Sequence, residues 1–259
     1  MKNIFIFFLL CLCLSCTKEE ENYISTQSIL KTFGGNEDDF GKTIIKNNNG
    51  DYSILGTTNS YGSGLEDIYL INIDSLGNQQ WAKTLGGANE DHAVTIVQSD
   101  DGGFVIAATS KSFWNGFKDD VILIKTDNSG NQLWYERYGN LSLTCVSMNS
   151  TDDEGFIILA NSQPSLPSEN SQMWLFKTSE NGSEEWGKKI SDSWENDIGA
   201  SVIQTNDGGY IVLCDNYTIG SNSYFLKLMK LDSDGNKTWQ KNYNVGTNSV
   251  AKTVKKYNN

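Results

Sequence analysis

Proline is nearly missing from this chain, with two residues in 259, and there is a single histidine beside only five cysteines. So little proline excludes a proline-rich or collagen-like chain in spite of the 24 glycines. One histidine excludes a multi-histidine zinc centre. Basic residues are also scarce: 20 Lys and Arg face 32 Asp and Glu, giving a formal charge of −12 and a pI near 4.5. Such a chain lacks the basic footprint that phosphate backbones require, so nucleic acid is not an expected partner. Long hydrophobic runs are absent too. The longest, Ile4 to Leu14, has eleven residues, short of the roughly 20 that span a bilayer.

That run follows Lys2 and reads as the core of a signal peptide covering residues 1–15. Its end, Cys13-Leu14-Ser15-Cys16, resembles a bacterial lipobox, with Cys13 where the pattern usually has Leu. The resemblance implies that Cys16 is acylated and held by outer-membrane lipid; an ordinary secretory signal is the alternative. Thr17-Lys18-Glu19-Glu20-Glu21 resembles the export tag of Bacteroidetes surface lipoproteins. It implies display on the outer face of the outer membrane, against a solvated tether facing the periplasm. Residues 16–27 form that tether. Three cysteines belong to this leader, which leaves Cys145 and Cys214 without a CxxC partner, hence neither a zinc site nor a disulfide framework.

What the chain does have is repetition. Trp81, Trp134, Trp186 and Trp239 are spaced 53, 52 and 53 residues apart, the period of a repeat architecture. Each closes a turn, DSLGNQQW, DNSGNQLW, SENGSEEW and DSDGNKTW, whose glycines suit the positive φ of a tight hairpin. A second turn recurs as NNNGDY, SDDGGF, TDDEGF and TNDGGY. β-rich runs flank both turns, and no helical period intervenes. Each repeat therefore holds four short strands, here called a to d. Apolar residues occupy both parities, as in Ile122-Leu123-Ile124, so both sheet faces must be covered. The expected fold is all-β, a propeller of four-stranded antiparallel blades. The repeats run over about residues 32–83, 84–136, 137–188 and 189–241 of a body spanning 28–259.

Aligned on the a to b turn, strand a carries Gly41, Ala93, Cys145 and Gly199, and strand b carries Gly56, Ala108, Ala160 and Cys214. Small side chains are expected there in a crowded interior, which makes both cysteines packing residues and not nucleophiles. SILKTFGG near the start aligns with QWAKTLGG, so a strand d precedes the first repeat. Residues 242–259 reproduce a connection and a strand a. An incomplete ring, a four-blade ring with surplus strands, and completion by another chain all remain open. The repeats resemble tryptophan-docking propellers, and most of all the tandem-repeat propeller lipoproteins of Bacteroidetes with GG…D…DGG…D..G…W blades. The third repeat departs, with Leu143 and Ser179 where the others carry Asp.

Strand order puts the short a to b and c to d turns at one end and the longer d to a and b to c connections at the other. Variable loops usually carry function. The candidate ligand-binding residues there are Trp114, Trp194, Tyr61, Tyr217, Asp39, Asp91 and Asp197. Rings would stack on a sugar or cation, and carboxylates would accept hydrogen bonds; against this, the aspartates are of the kind that cap their own turns. No cofactor and no metal site is expected. Asp232-x-Asp234-Gly235 lacks the further ligands of a calcium loop, and His92 is expected to pack. The resulting expectation is a non-enzymatic binding module for glycan, peptide or envelope protein. The alternative is a glycan hydrolase or lyase using carboxylates of the same end.

Overall fold

The computed structural model describes residues 30–113, 118–162, 170–192, 196–218, 223–244 and 250–256. The chain divides into two units, Met1–Thr32 and a body, Phe33–Asn259. Among the described residues, sixteen strands of the body make four antiparallel sheets, each in strict chain order. The first contains β1 (Asp39–Lys46), β2 (Tyr52–Thr58), β3 (Asp67–Ile73) and β4 (Gln79–Leu85). The second contains β5 (Asp91–Gln98), β6 (Phe104–Ser110), β7 (Asp120–Thr126) and β8 (Gln132–Tyr138). The third contains β9 (Leu143–Ser150), β10 (Phe156–Ser162), β11 (Met173–Thr178) and β12 (Glu184–Lys189). The fourth contains β13 (Asn196–Gln204), β14 (Tyr210–Thr218), β15 (Ser223–Leu231) and β16 (Lys237–Asn244). These are the blades of a β-propeller.

The double-sided burial expected from the sequence is plain in the second blade. Ile106, Ile122 and Ile124 face the first blade and pack with Leu55, Ile68 and Leu70. Their neighbours Val105, Val121 and Leu123 face the third blade and pack with Cys145, Ile158 and Phe176. A strand of period two thus feeds two cores at once. Each such aliphatic side chain, removed from water, contributes about 1.5–3 kcal/mol before entropy is counted. The fourth blade differs. Its inner face (Val212, Cys214, Met229) joins the third core, whereas Ile211, Leu213, Leu226 and Leu228 on the other face are only half-buried.

Each of the first three Trp residues docks on the next blade. A Cβ built at Gly130 would lie 2.6 Å from the Trp81 ring; at Gly182 and Gly235 it would lie 2.8 Å from Trp134 and Trp186. Those glycines also hold φ of 77°, 82° and 77°. Glycine is therefore needed there twice, for the turn and for the ring above it. Trp239 has no such cover among the described residues and is 42% exposed.

The small residues meet as the alignment implied. Gly41 faces Gly56, Ala93 faces Ala108, Cys145 faces Ala160 and Gly199 faces Cys214. In every inner strand the register shifts immediately afterwards, a β-bulge repeated four times. One hydrogen bond locks each blade to the next at this level. The amide of Ala93 donates to Thr57 Oγ1 (3.1 Å), that of Cys145 to Thr109 Oγ1 (2.9 Å) and that of Gly199 to Asn161 Oδ1 (2.9 Å). A fourth lock joins the amide of Ala251 to Asp215 Oδ1 at 2.8 Å. Ala251, which is buried, thus takes the place of the small residue of a further inner strand.

Candidate functional site

Strand a of three blades carries an aspartate at or near its start, and each is held by its own surroundings. Asp39 accepts from the Gly35 amide (2.8 Å), the Ser60 hydroxyl (2.8 Å) and the Thr58 hydroxyl. Asp91 accepts from the Gly87 amide (2.8 Å) and the Ser110 hydroxyl. Burial resists ionisation of Asp39, but the bonds from Thr58, Gly35 and Ser60 outweigh it and keep the carboxyl below its ordinary pKa. The paired glycines ahead of these aspartates have a steric reason: a Cβ on Gly34 would sit 2.3 Å from Asp39 Oδ2. In the third blade Leu143 stands at the aspartate's place, fully buried beneath Gly139.

Asp197 is handled differently. Its Oδ1 accepts from Asn216 Nδ2 and from Lys227 Nζ, both at 2.8 Å, in an ion pair with relative exposures of 1% and 0%. Breaking such a pair costs far more than the pair itself contributes, since it strands a buried charge.

Strand c supplies two carboxylates that sequence reasoning missed, Asp67 and Asp120. Asp67 and Asp91 are both buried and converge over Gly86, where a Cβ would lie 2.1 Å from Asp67 Oδ1 and 2.6 Å from Asp91 Oδ2. Burial raises the Asp67 pKa, the Ser63 amide partly offsets this, and the Asp91 charge raises it further. Asp120, at the same place in the second blade, is also raised by burial, against the pull of Arg137 at 3.4 Å. No signal in one sequence brings strands a and c of neighbouring blades together.

Around this buried layer lies an accessible one at the junction of the first two blades. His92 Nδ1 is 2.7 Å from Glu66 Oε2, with side-chain exposures of 42% and 27%. The expected packing role for His92 is thereby corrected: its side chain reaches out of the inner strand toward a carboxylate. Glu90 accepts from Lys111, which also lies 3.9 Å from Asp119. The hydrogen bond and charge of Lys111 lower the Glu90 pKa, and Glu90 raises that of Lys111. A carboxylate kept ionised by its lysine thus sits two residues from a histidine that pairs with a second carboxylate, residue types that acid and base catalysis use.

Of the aromatic candidates, Tyr61 is exposed, but its hydroxyl donates to the Gly34 carbonyl at 2.9 Å and its ring lies 5.4 Å from that of Tyr69. It braces the first d to a connection. Tyr217 lies on β14 opposite Asn196 and Tyr224; its side chain, like Trp114 and Trp194 as a whole, lies outside the described residues, as does Cys16.

At the opposite end the structure reveals a recurrent ion pair. Lys125, Lys177 and Lys230 each bond the third residue of their own a to b turn, Asp101, Asp153 and Asp207, at 2.8 Å. Cys145 sits in the core, its thiol pushed up to about 12 by burial, so it is no nucleophile at neutral pH. Among the described residues no group of three or more His, Cys, Asp or Glu is placed to hold a metal ion.

No protein-family model matches the chain, and no curated protein sequence does. Solved structures do. A protein of unknown function from Dyadobacter fermentans is 11% identical, covers 81% of this chain and 70% of its own, and gives a TM-score of 0.58. The α-L-arabinanase of Penicillium chrysogenum, complexed with arabinobiose, is 12% identical over 82% of this chain and 68% of its own, with a TM-score of 0.54. An endo-arabinase from Bacteroides thetaiotaomicron, 12% identical over 85% of each chain, scores 0.48. The shared property is the propeller fold. The expectation of a non-enzymatic binding module is corrected by the Penicillium match, a glycan-cleaving enzyme built on the same fold.

Proposed function

We propose that this chain is a glycan-cleaving hydrolase whose reacting groups are the accessible carboxylates of the first two blades. The observation that carries the reading is Glu90, ionised beside Lys111, next to the Glu66 and His92 pair at 2.7 Å, on a fold of the kind found in an α-L-arabinanase. In this scheme Glu90 takes a proton from the attacking water and the Glu66 and His92 pair gives one to the departing sugar oxygen as the glycosidic C–O bond breaks. Asp67 and Asp91, buried beneath, are positioning residues. The sequence of the leader supports the rest of the proposal: a lipid on Cys16 tethers the enzyme to the outer membrane, facing outward, where polymeric glycans are met.

The test is turnover of arabinan and a panel of other polysaccharides by the purified chain, followed as released reducing ends. Glu90→Gln and Glu66→Gln should each lower kcat by about a thousandfold with the fold intact. No cleavage of any polysaccharide by the parent chain would overturn the hydrolase reading, and undiminished turnover in both variants would remove this site from it.

A further inference from the structure

The repeated bulge has a second consequence at the opposite end of the propeller. Immediately past it, at corresponding positions, stand Thr43, Thr95, Ser147 and Ser201, one from each inner strand, and all four line a single cavity of about 580 Å³. Thr253, two residues beyond the locking Ala251, contributes a fifth hydroxyl to the same wall. A bulge inserts one residue and re-aims the next; here it turns one hydroxyl residue of each of the four inner strands toward a common space that Thr253 also lines.

We propose that this cavity binds a small ligand carrying a sulfate or phosphate group. The hydroxyls of Thr43, Thr95 and Ser201 make no hydrogen bond to a described residue, so their donors are free for a ligand. The charged lining residues are Lys255, Lys256 and Asp152. Neither lysine forms an ion pair with a described carboxylate. In a chain of formal charge −12, two lysines without an ion pair to a described carboxylate, lining the same cavity as unbonded hydroxyls, are the local chemistry of oxyanion binding. Asp152, in the same lining, opposes it. The cavity volume exceeds what a bare tetrahedral anion fills, leaving room for a sugar ring bearing it.

Titration calorimetry on the full chain, at fixed ionic strength set with chloride, tests this with four probes: inorganic sulfate, inorganic phosphate, a sulfated monosaccharide and its neutral parent sugar. The proposal expects one site for at least one of the three anions and no heat from the neutral sugar. Tighter binding of the sulfated sugar than of either inorganic ion assigns the ester as ligand; the reverse assigns the free ion. The double variant K255A/K256A should weaken binding about tenfold or more. Thr95→Val should also weaken it and Thr95→Ser restore it, which separates a donor hydroxyl from mere packing. Silence from all anions, or equal affinity in the double lysine variant with an unchanged Tm, overturns the proposal. Because the cavity lies at the turn end, this outcome is independent of glycan turnover at the loop end.

Discussion

The two ends of the propeller treat aspartate in opposite ways. At the a to b turns of the last three blades one carboxylate meets a lysine: Asp101, Asp153 and Asp207 are bonded by Lys125, Lys177 and Lys230, whose stems are nearly buried while the carboxylates stay in water. At the d to a end Asp39 and Asp91 are held by amides and hydroxyls, and Asp67 and Asp120 are pushed up by burial. The first arrangement neutralises charge; at the other end Asp197 and Asp120 meet a cation, Lys227 and Arg137, while Asp39, Asp67 and Asp91 rest on neutral donors. A fold can discard charge at one end and keep it where chemistry needs a shifted proton affinity, using the same residue type in the same repeat.

The largest effect should come from a glycine of the turn end that packs under a Trp ring. Gly130→Ala forces a Cβ into the Trp81 ring at 2.6 Å and strains a φ of 77°, so a loss of about 3 kcal/mol is expected in denaturant unfolding. Gly50→Ala, with φ of 91° and nothing within 4 Å, should cost only about 1 kcal/mol. Equal losses would show that docking on Trp contributes nothing beyond the turn.

Acid titration compares the two ends directly. Burial opposes ionisation of Asp153, yet bonds from Lys177, Thr151 and Gly155 hold its pKa down at about 2 against an ordinary 3.8. Asp101 is lowered chiefly by Lys125 and Asp207 by Lys230. The unfolded chain therefore protonates first, so this stability is complete above pH 3.8 and drains away as pH falls toward 2. Asp67 and Asp120 have the opposite sign: the folded chain binds their protons more readily, so they destabilise at neutral pH and the penalty lifts as pH falls through their raised values. Thermal unfolding against pH should show the turn-end loss below pH 3.8, and replacing Lys177 by Met should flatten it.

The smallest effect expected is that of Asp67→Asn, which keeps an acceptor for the Ser63 amide and removes repulsion from Asp91. Stability at neutral pH should rise by about 1 kcal/mol, and the gain on mild acidification should shrink. A clear loss at neutral pH would mean that the charge of Asp67 is needed by a partner.

Much of the fold was legible because its determinants are local. The Trp spacing, the turn glycines and the facing pairs such as Ala93 and Ala108 follow from residues within one repeat, where a hairpin brings neighbours together by chain continuity alone. The candidate site was far less legible. Glu66 and His92 belong to different repeats, as do Asp67 and Asp91, and their meeting depends on how one blade is rotated against the next. The ion pair of Lys125 with Asp101 lies within one repeat but joins strand c to the a to b turn, a contact that strand alternation does not announce.

Residue order alone sets the repeat, its four strands, its tight turns and the positions that must stay small, since each is a property of short-range sterics and of period-two burial. Which carboxylates share a dry junction, which lysines neutralise their counterparts, and that five hydroxyl residues line one cavity are settled only when the blades pack. Electrostatics and cavities depend on distances between blades, and packing sets those distances, so that a bulge of one residue re-aims everything beyond it.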